Sequence, residues 1–148
     1  MPTGTLGTQA RDYPERQVFY LHSGILQTST GNNFTAIPST TSIKMGVIPA
    51  NSSIIRANLQ VAAVNNAGTS NVSIGTTSGG TDIVAIVNQG QTLGFTALTL
   101  AASSVPVLVA ADTTVWVTNQ STGATATTGI LSAVVEFVVI GSGGSPLT

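Results

Sequence analysis

The sequence predicts an all-β protein: a two-sheet antiparallel β-sandwich, jelly-roll-like, with about eight strands. Three observations carry this. Apolar residues alternate with polar ones at period two in segment after segment. Clusters of Gly, Pro, Asn and Ser separate the segments at short intervals. No stretch repeats apolar residues three and four apart, as a packed helix requires. An immunoglobulin-like sandwich is the alternative, although the Cys-Trp-Cys hallmark is missing from a chain without cysteine.

The pattern is clearest over residues 47–82. Pro49, Ala50, Asn51 and Ser52 make a turn, with Pro presetting φ and Asn and Ser able to bond back to the backbone. A strand follows, with Ile55, Ala57, Leu59, Val61 and Ala63 on one face and Arg56, Asn58 and Gln60 on the other. The chain turns at 65–69, Val72 and Ile74 return to the core, and 75–80 turns again. In chain order, a first strand is expected at 17–22 and a polar turn segment at 23–35. A second strand at 42–48 has Ile43, Met45 and Val47 inward and Lys44 outward. Residues 81–87 are apolar on both faces and predict a doubly covered strand. Residues 91–100 predict another, with Phe95 as core anchor and Gly94 as a possible bulge. Pro106 makes 105–111 an edge or a strand start, because proline cannot donate to a ladder. Residues 114–119 place Val115 and Val117 opposite Trp116. The closing strand, 129–140, sets Val135, Phe137 and Val139 against Val134, Glu136, Val138 and Ile140.

Three parts are expected. Residues 1–16 form an extended arm, 17–141 the sandwich, and 142–148 a flexible tail. The arm holds Arg11, Asp12, Glu15 and Arg16, beside Tyr13. Four of the nine charges thus fall within six positions. That concentration favours a docking arm over a frayed terminus.

Only 6% of the 148 residues are charged, against roughly 25% in ordinary globular chains. Ser, Thr, Asn and Gln must keep the exterior wet. A net charge of −1 gives copies little mutual repulsion. The four basic residues are too few and too scattered for a phosphate-binding surface, so no nucleic acid is expected. The longest apolar runs are too short to span a bilayer as a helix. The first seventeen residues lack the apolar core of a signal peptide.

No catalytic set emerges. His22 is the single histidine and has no visible nucleophile or orienting carboxylate. Asp82 and Asp112 each follow a turn and read as turn caps; a calcium loop would bring several acidic ligands together. Asn33, Asn51, Asn71 and Asn119 fit the N-glycosylation pattern, which arises by chance in so Asn-, Ser- and Thr-rich a chain. No cofactor and no metal is expected, and the protein reads as a non-enzyme. Trp116 is an outward interface anchor, a sugar platform, or a core residue under the opposite register. Glu136 lies among valines, where an unpaired carboxylate would be costly to bury. Arg56 and Lys44 are its candidate partners, within the chain or across a subunit boundary.

The segments IPANSSII at 48–55 and NAGTSNVSIGT at 66–76, with the VEFV-type closing strand, resemble small structural proteins of tailed bacteriophages, the head decoration or cement proteins. The resemblance covers roughly residues 42–140 and excludes the arm. It implies a jelly-roll-like sandwich that oligomerises, a homotrimer being favoured. It further implies a virion protein, made in the host cytoplasm, that binds the capsid exterior and has the major capsid protein as partner. The alternative is a receptor- or glycan-binding module of a tail fibre or spike. Candidate contact residues for capsid or sister subunits are Arg11, Asp12, Tyr13, Glu15, Arg16, Lys44, Arg56, Trp116 and Glu136.

Overall fold

A computed structural model describes residues 18–23, 26–27, 40–66, 68–101, 107–122 and 128–139. These fold into β1 (Val18–His22), β2 (Leu26–Gln27), β3 (Thr40–Ile48), β4 (Ser52–Ala63), β5 (Thr69–Gly75), β6 (Val84–Asn88), β7 (Gly94–Leu98), β8 (Val107–Val109), β9 (Thr113–Thr122) and β10 (Ile130–Val139). There is no helix among the described residues.

All pairings are antiparallel, in two sheets. The first runs β1-β10-β4-β7, with β2 continuing β1 along β10 and β8 continuing β7 along β4. The second runs β3-β9-β5-β6. Counting each split edge as one, the described strands fill eight positions. The first sheet then holds them in the order 1-8-3-6 and the second in the order 2-7-4-5. Each position in the first half of the chain lies beside its mirror in the second half. That is a long hairpin wound around a core, the jelly roll, and it excludes the immunoglobulin-like alternative. The edge of the first sheet is stitched where β1 breaks: Ser23 N donates to Ala133 O at 2.9 Å and Ala133 N donates to Ser23 Oγ at 2.8 Å.

The core lies between the sheets. Ala57, Leu59, Val61, Leu131, Ala133, Val135 and Phe137 face it from the first sheet, and Val72, Ile74, Val115 and Val117 from the second. At one pole the core turns polar. Ser70 Oγ donates to Asn119 Oδ1 at 2.9 Å; Asn119 Nδ2 and Asn65 Nδ2 both donate to Ser121 Oγ, at 3.2 and 3.1 Å. All four are buried. The chain satisfies there what it could not solvate.

Several expectations need correction, and bulges explain two of them. Val47 is exposed and Ile48 buried, because the β3–β9 register shifts between Lys44 and Gly46 and reverses the alternation. Ile55 is exposed and Ile54 buried, because the β4–β10 register shifts at the same place. β6 is an edge strand, not doubly covered: Ala85 and Ile86 are exposed. Phe95 is 67% exposed and anchors nothing; Leu98 and Leu100 are the buried residues of that segment. Gly94 is no bulge but the first residue of β7, at φ 108. The polar segment 23–35 includes the short strand β2. Val139 lies at an exposed strand end, away from the core that holds Val135 and Phe137. As expected, β8 starts directly after Pro106 and pairs only with β4, at an edge.

Candidate docking surface

Each sheet turns one face to the core and one outward. The outer face of the second sheet is partly roofed by the chain itself. Gly79 N, in the loop 76–83, donates to Thr118 Oγ1 at 3.0 Å, and Thr118 Oγ1 shares a 2.8 Å bond with Ser42 Oγ. Thr118 and Ser73 are buried there although they point away from the core. Lys44 and Trp116 sit opposite each other on this face. Lys44 is exposed and Trp116 half-buried. Trp116 therefore points outward, as alternation with the buried Val115 and Val117 requires.

The outer face of the first sheet is the more open. Three rows cross it. Tyr20, Glu136 and Arg56 form one; His22, Val134, Asn58 and Ala97 the next; Ser132, Gln60 and Phe95 the third. Tyr20 and Phe95 are large and exposed, at 56% and 67%. The ring of His22 lies tilted against Tyr20, centroids 6.4 Å apart. In the middle, Asn58 Nδ2 donates to Glu136 Oε1 at 3.0 Å, and Arg56 Nη1 lies 3.9 Å from the same oxygen. Asn58 is buried, and its Oδ1 has no hydrogen-bond partner among the described residues. Among the described residues, one cation meets Glu136. It is Arg56, on the neighbouring strand; Lys44 lies on the other sheet.

Of the residues singled out from sequence, Arg56 and Glu136 come together, as do Lys44 and Trp116. The two pairs lie on opposite outer faces and do not form one site. Arg11, Asp12, Tyr13, Glu15 and Arg16 lie outside the described residues. Tyr20 and Phe95 were missed as surface residues, and Asn58, expected on the outer face, lies there but is buried. The signal for Phe95 was present: a period-two phase set by Leu98 and Leu100 puts it outside.

The two aspartates act as turn caps. Asp112 Oδ1 accepts from Ala50 N at 2.8 Å, tying the 49–51 turn to the start of β9. Asp82 Oδ1 accepts from Thr76 N at 2.9 Å and closes its own loop. A cleft of ≈ 210 Å³ opens between the sheets at this pole, walled by Ile54, Ile83, Val109 and Val115, with Thr76 and Asp82 also lining it. Thr113 lines it too, so its apolar walls are joined by two hydroxyls and a single carboxylate. Among the described residues no group of three His, Cys, Asp or Glu is placed to hold a metal. Nor does any helix among the described residues have the length and apolarity to cross a membrane. Of the glycosylation-pattern residues, Asn119 is fully buried in the polar ladder.

The chain matches no protein-family model and no curated protein. It is similar to solved structures of two phage capsids. One is described as the cyanophage Pam1 capsid asymmetric unit, with TM-score 0.58, 15% identity, and 83% of this chain and 85% of that chain covered. The other is described as the capsid of Ralstonia phage GP4, with TM-score 0.53, 20% identity, and 82% of this chain and 84% of that chain covered. At these identities the likeness is one of fold, and it extends over most of each chain.

Proposed function

We propose that the chain is a structural protein of a bacteriophage virion, one that binds the capsid exterior and stabilises the shell. The observation that carries this is the fold likeness to chains of two phage capsid structures, spanning more than four-fifths of this chain in each case. The low charge content supports it too, since a weakly charged exterior suits a part held inside an assembly. The protein works by binding and not by catalysis. It is a homotrimer seated where neighbouring major capsid subunits meet, with residues 1–16 as its docking arm.

The mechanism is mass action. A protein that binds the assembled shell, and not its separated subunits, stabilises the shell by its binding free energy. Repetition over a symmetric particle multiplies that contribution, and linked contacts raise the effective local concentration of each neighbour. Modest single contacts then suffice.

The exposed Tyr20 and Phe95 on one sheet face favour a second reading, a receptor- or glycan-binding module of a tail fibre or spike. Two assays separate them. Co-sedimentation with emptied, undecorated phage heads, with protection of those heads against heat, is the expected outcome. Binding to a glycan array or to host cells without binding to heads would overturn the capsid reading.

A further inference from the structure

The outer face of the first sheet is charged in a self-complementary way. Glu136 on β10 and Arg56 on β4 sit directly opposite each other on the two central strands. Asn58 and Arg56 both approach Oε1 of Glu136, and Oε2 has no partner among the described residues. The carboxylate side chain is only 15% exposed, while that of Arg56 is 64% exposed. A half-engaged carboxylate in a poorly hydrated setting gains from a second cation, and a guanidinium can serve two carboxylates at once.

We propose that this face binds the same face of a second copy of the chain about a two-fold axis parallel to the strands, running above the sheet between β10 and β4. Such an axis exchanges β10 with β4. Each Glu136 then lies over Arg56 of the second copy, and two crossed ion pairs close the centre. The same operation exchanges β1 with β7. His22 on β1 then lies over Ala97 of β7, and Tyr20 over Thr99 just past the end of that strand. All four are exposed, and large side chains meet small ones. The surface is isologous in the strict sense: each patch is its own complement. Strand directions are preserved by this rotation, as aligned sheet packing requires. The pairing does not depend on the chain binding a capsid.

Sedimentation equilibrium over a wide concentration range tests it. The wild-type chain is expected to reach an even-numbered species: a dimer, or a hexamer if trimers also form. Arg56→Glu makes the central pair doubly negative and Glu136→Arg makes it doubly positive, so each variant alone should associate at least tenfold more weakly. An equimolar mixture of the two should recover association, because every crossed pair is then opposite in sign. Mixing cannot repair a defect confined to one chain, which separates this outcome from mere loss of the internal ion pair. Ala97→Arg, at an exposed position on β7 in the row next to the pair, should also block association while leaving the melting temperature near that of the wild type. A wild-type chain that stays monomeric, or forms only odd-numbered species, overturns the proposal. So does a mixture that associates no better than its components, or an Ala97→Arg chain that associates normally.

Discussion

Asn58 and Glu136 are hydrogen-bonded at 3.0 Å across the two central strands of the first sheet, amide to carboxylate, on the face turned away from the core. The amide is buried and the carboxylate nearly so. Hydrogen bonds to a charged group contribute about 1.5–3 kcal/mol, whereas an exposed ion pair contributes about 0–1 kcal/mol. Asn58→Ala should therefore lower stability by about 2 kcal/mol, and Arg56→Ala by less than about 1 kcal/mol, since the Arg56 side chain is 64% exposed. Urea unfolding of the two variants gives the order. The reverse order would mean that the cation, and not the amide, holds Glu136 in place.

Phe95 and Leu98 share β7 but not its energetics. Phe95→Ala should change stability by less than about 0.5 kcal/mol, as surface substitutions do. Leu98→Ala removes a side chain from the core and should cost roughly 2–5 kcal/mol. Melting curves of the pair decide this. A large loss at Phe95 would restore it to the core.

At the polar pole, a Cβ added to Gly90 would come 2.0 Å from Ser70 Oγ and 2.6 Å from Ser70 Cβ. Ser70 cannot yield easily, because Gly90 N donates to its carbonyl at 3.0 Å and its hydroxyl is held by Asn119. Gly90→Ala should cost about 1–3 kcal/mol, the range for overpacking. Adding Ser70→Gly removes the clash, so the double variant should be less destabilised than the sum of the singles. Strict additivity in a double-mutant cycle would place the strain elsewhere.

Removing residues 1–16 should leave a sandwich with an unchanged thermal transition that no longer co-sediments with phage heads. Normal decoration by the shortened chain would reject the docking arm while leaving the shell-binding reading open to the other contacts.

The sequence exposed much of this fold and less of its surface. Period-two alternation found β3, β4, β9 and β10, because each has an apolar face against the core and polar residues such as Lys44, Arg56, Thr118 and Glu136 on the other. It failed locally at two bulges. Val47 and Ile55 follow the wrong phase by one residue, and no residue type near them announces the shift. β6 reads as a doubly covered strand because its residues are apolar, yet its position at a sheet edge depends on pairings remote in the chain. The Arg56–Glu136 pair was legible, since an isolated carboxylate among valines calls for a cation and few cations exist. Asn58 was not, because nothing in a polar residue's alternation tells that it will be sunk between two strands.

The wound hairpin has a mechanical consequence. Val18 pairs with Val138, so the first and last described strands end side by side at the same pole. Tension applied through those two points runs across their ladder and breaks it one hydrogen bond at a time, like a zipper. Tension between the 49–51 turn and residue 128, at opposite poles, would instead load many bonds at once in shear. How firmly the described sandwich resists force thus depends on where it is gripped, and Val18 with Val138 makes a weaker pair of handles than the 49–51 turn with residue 128.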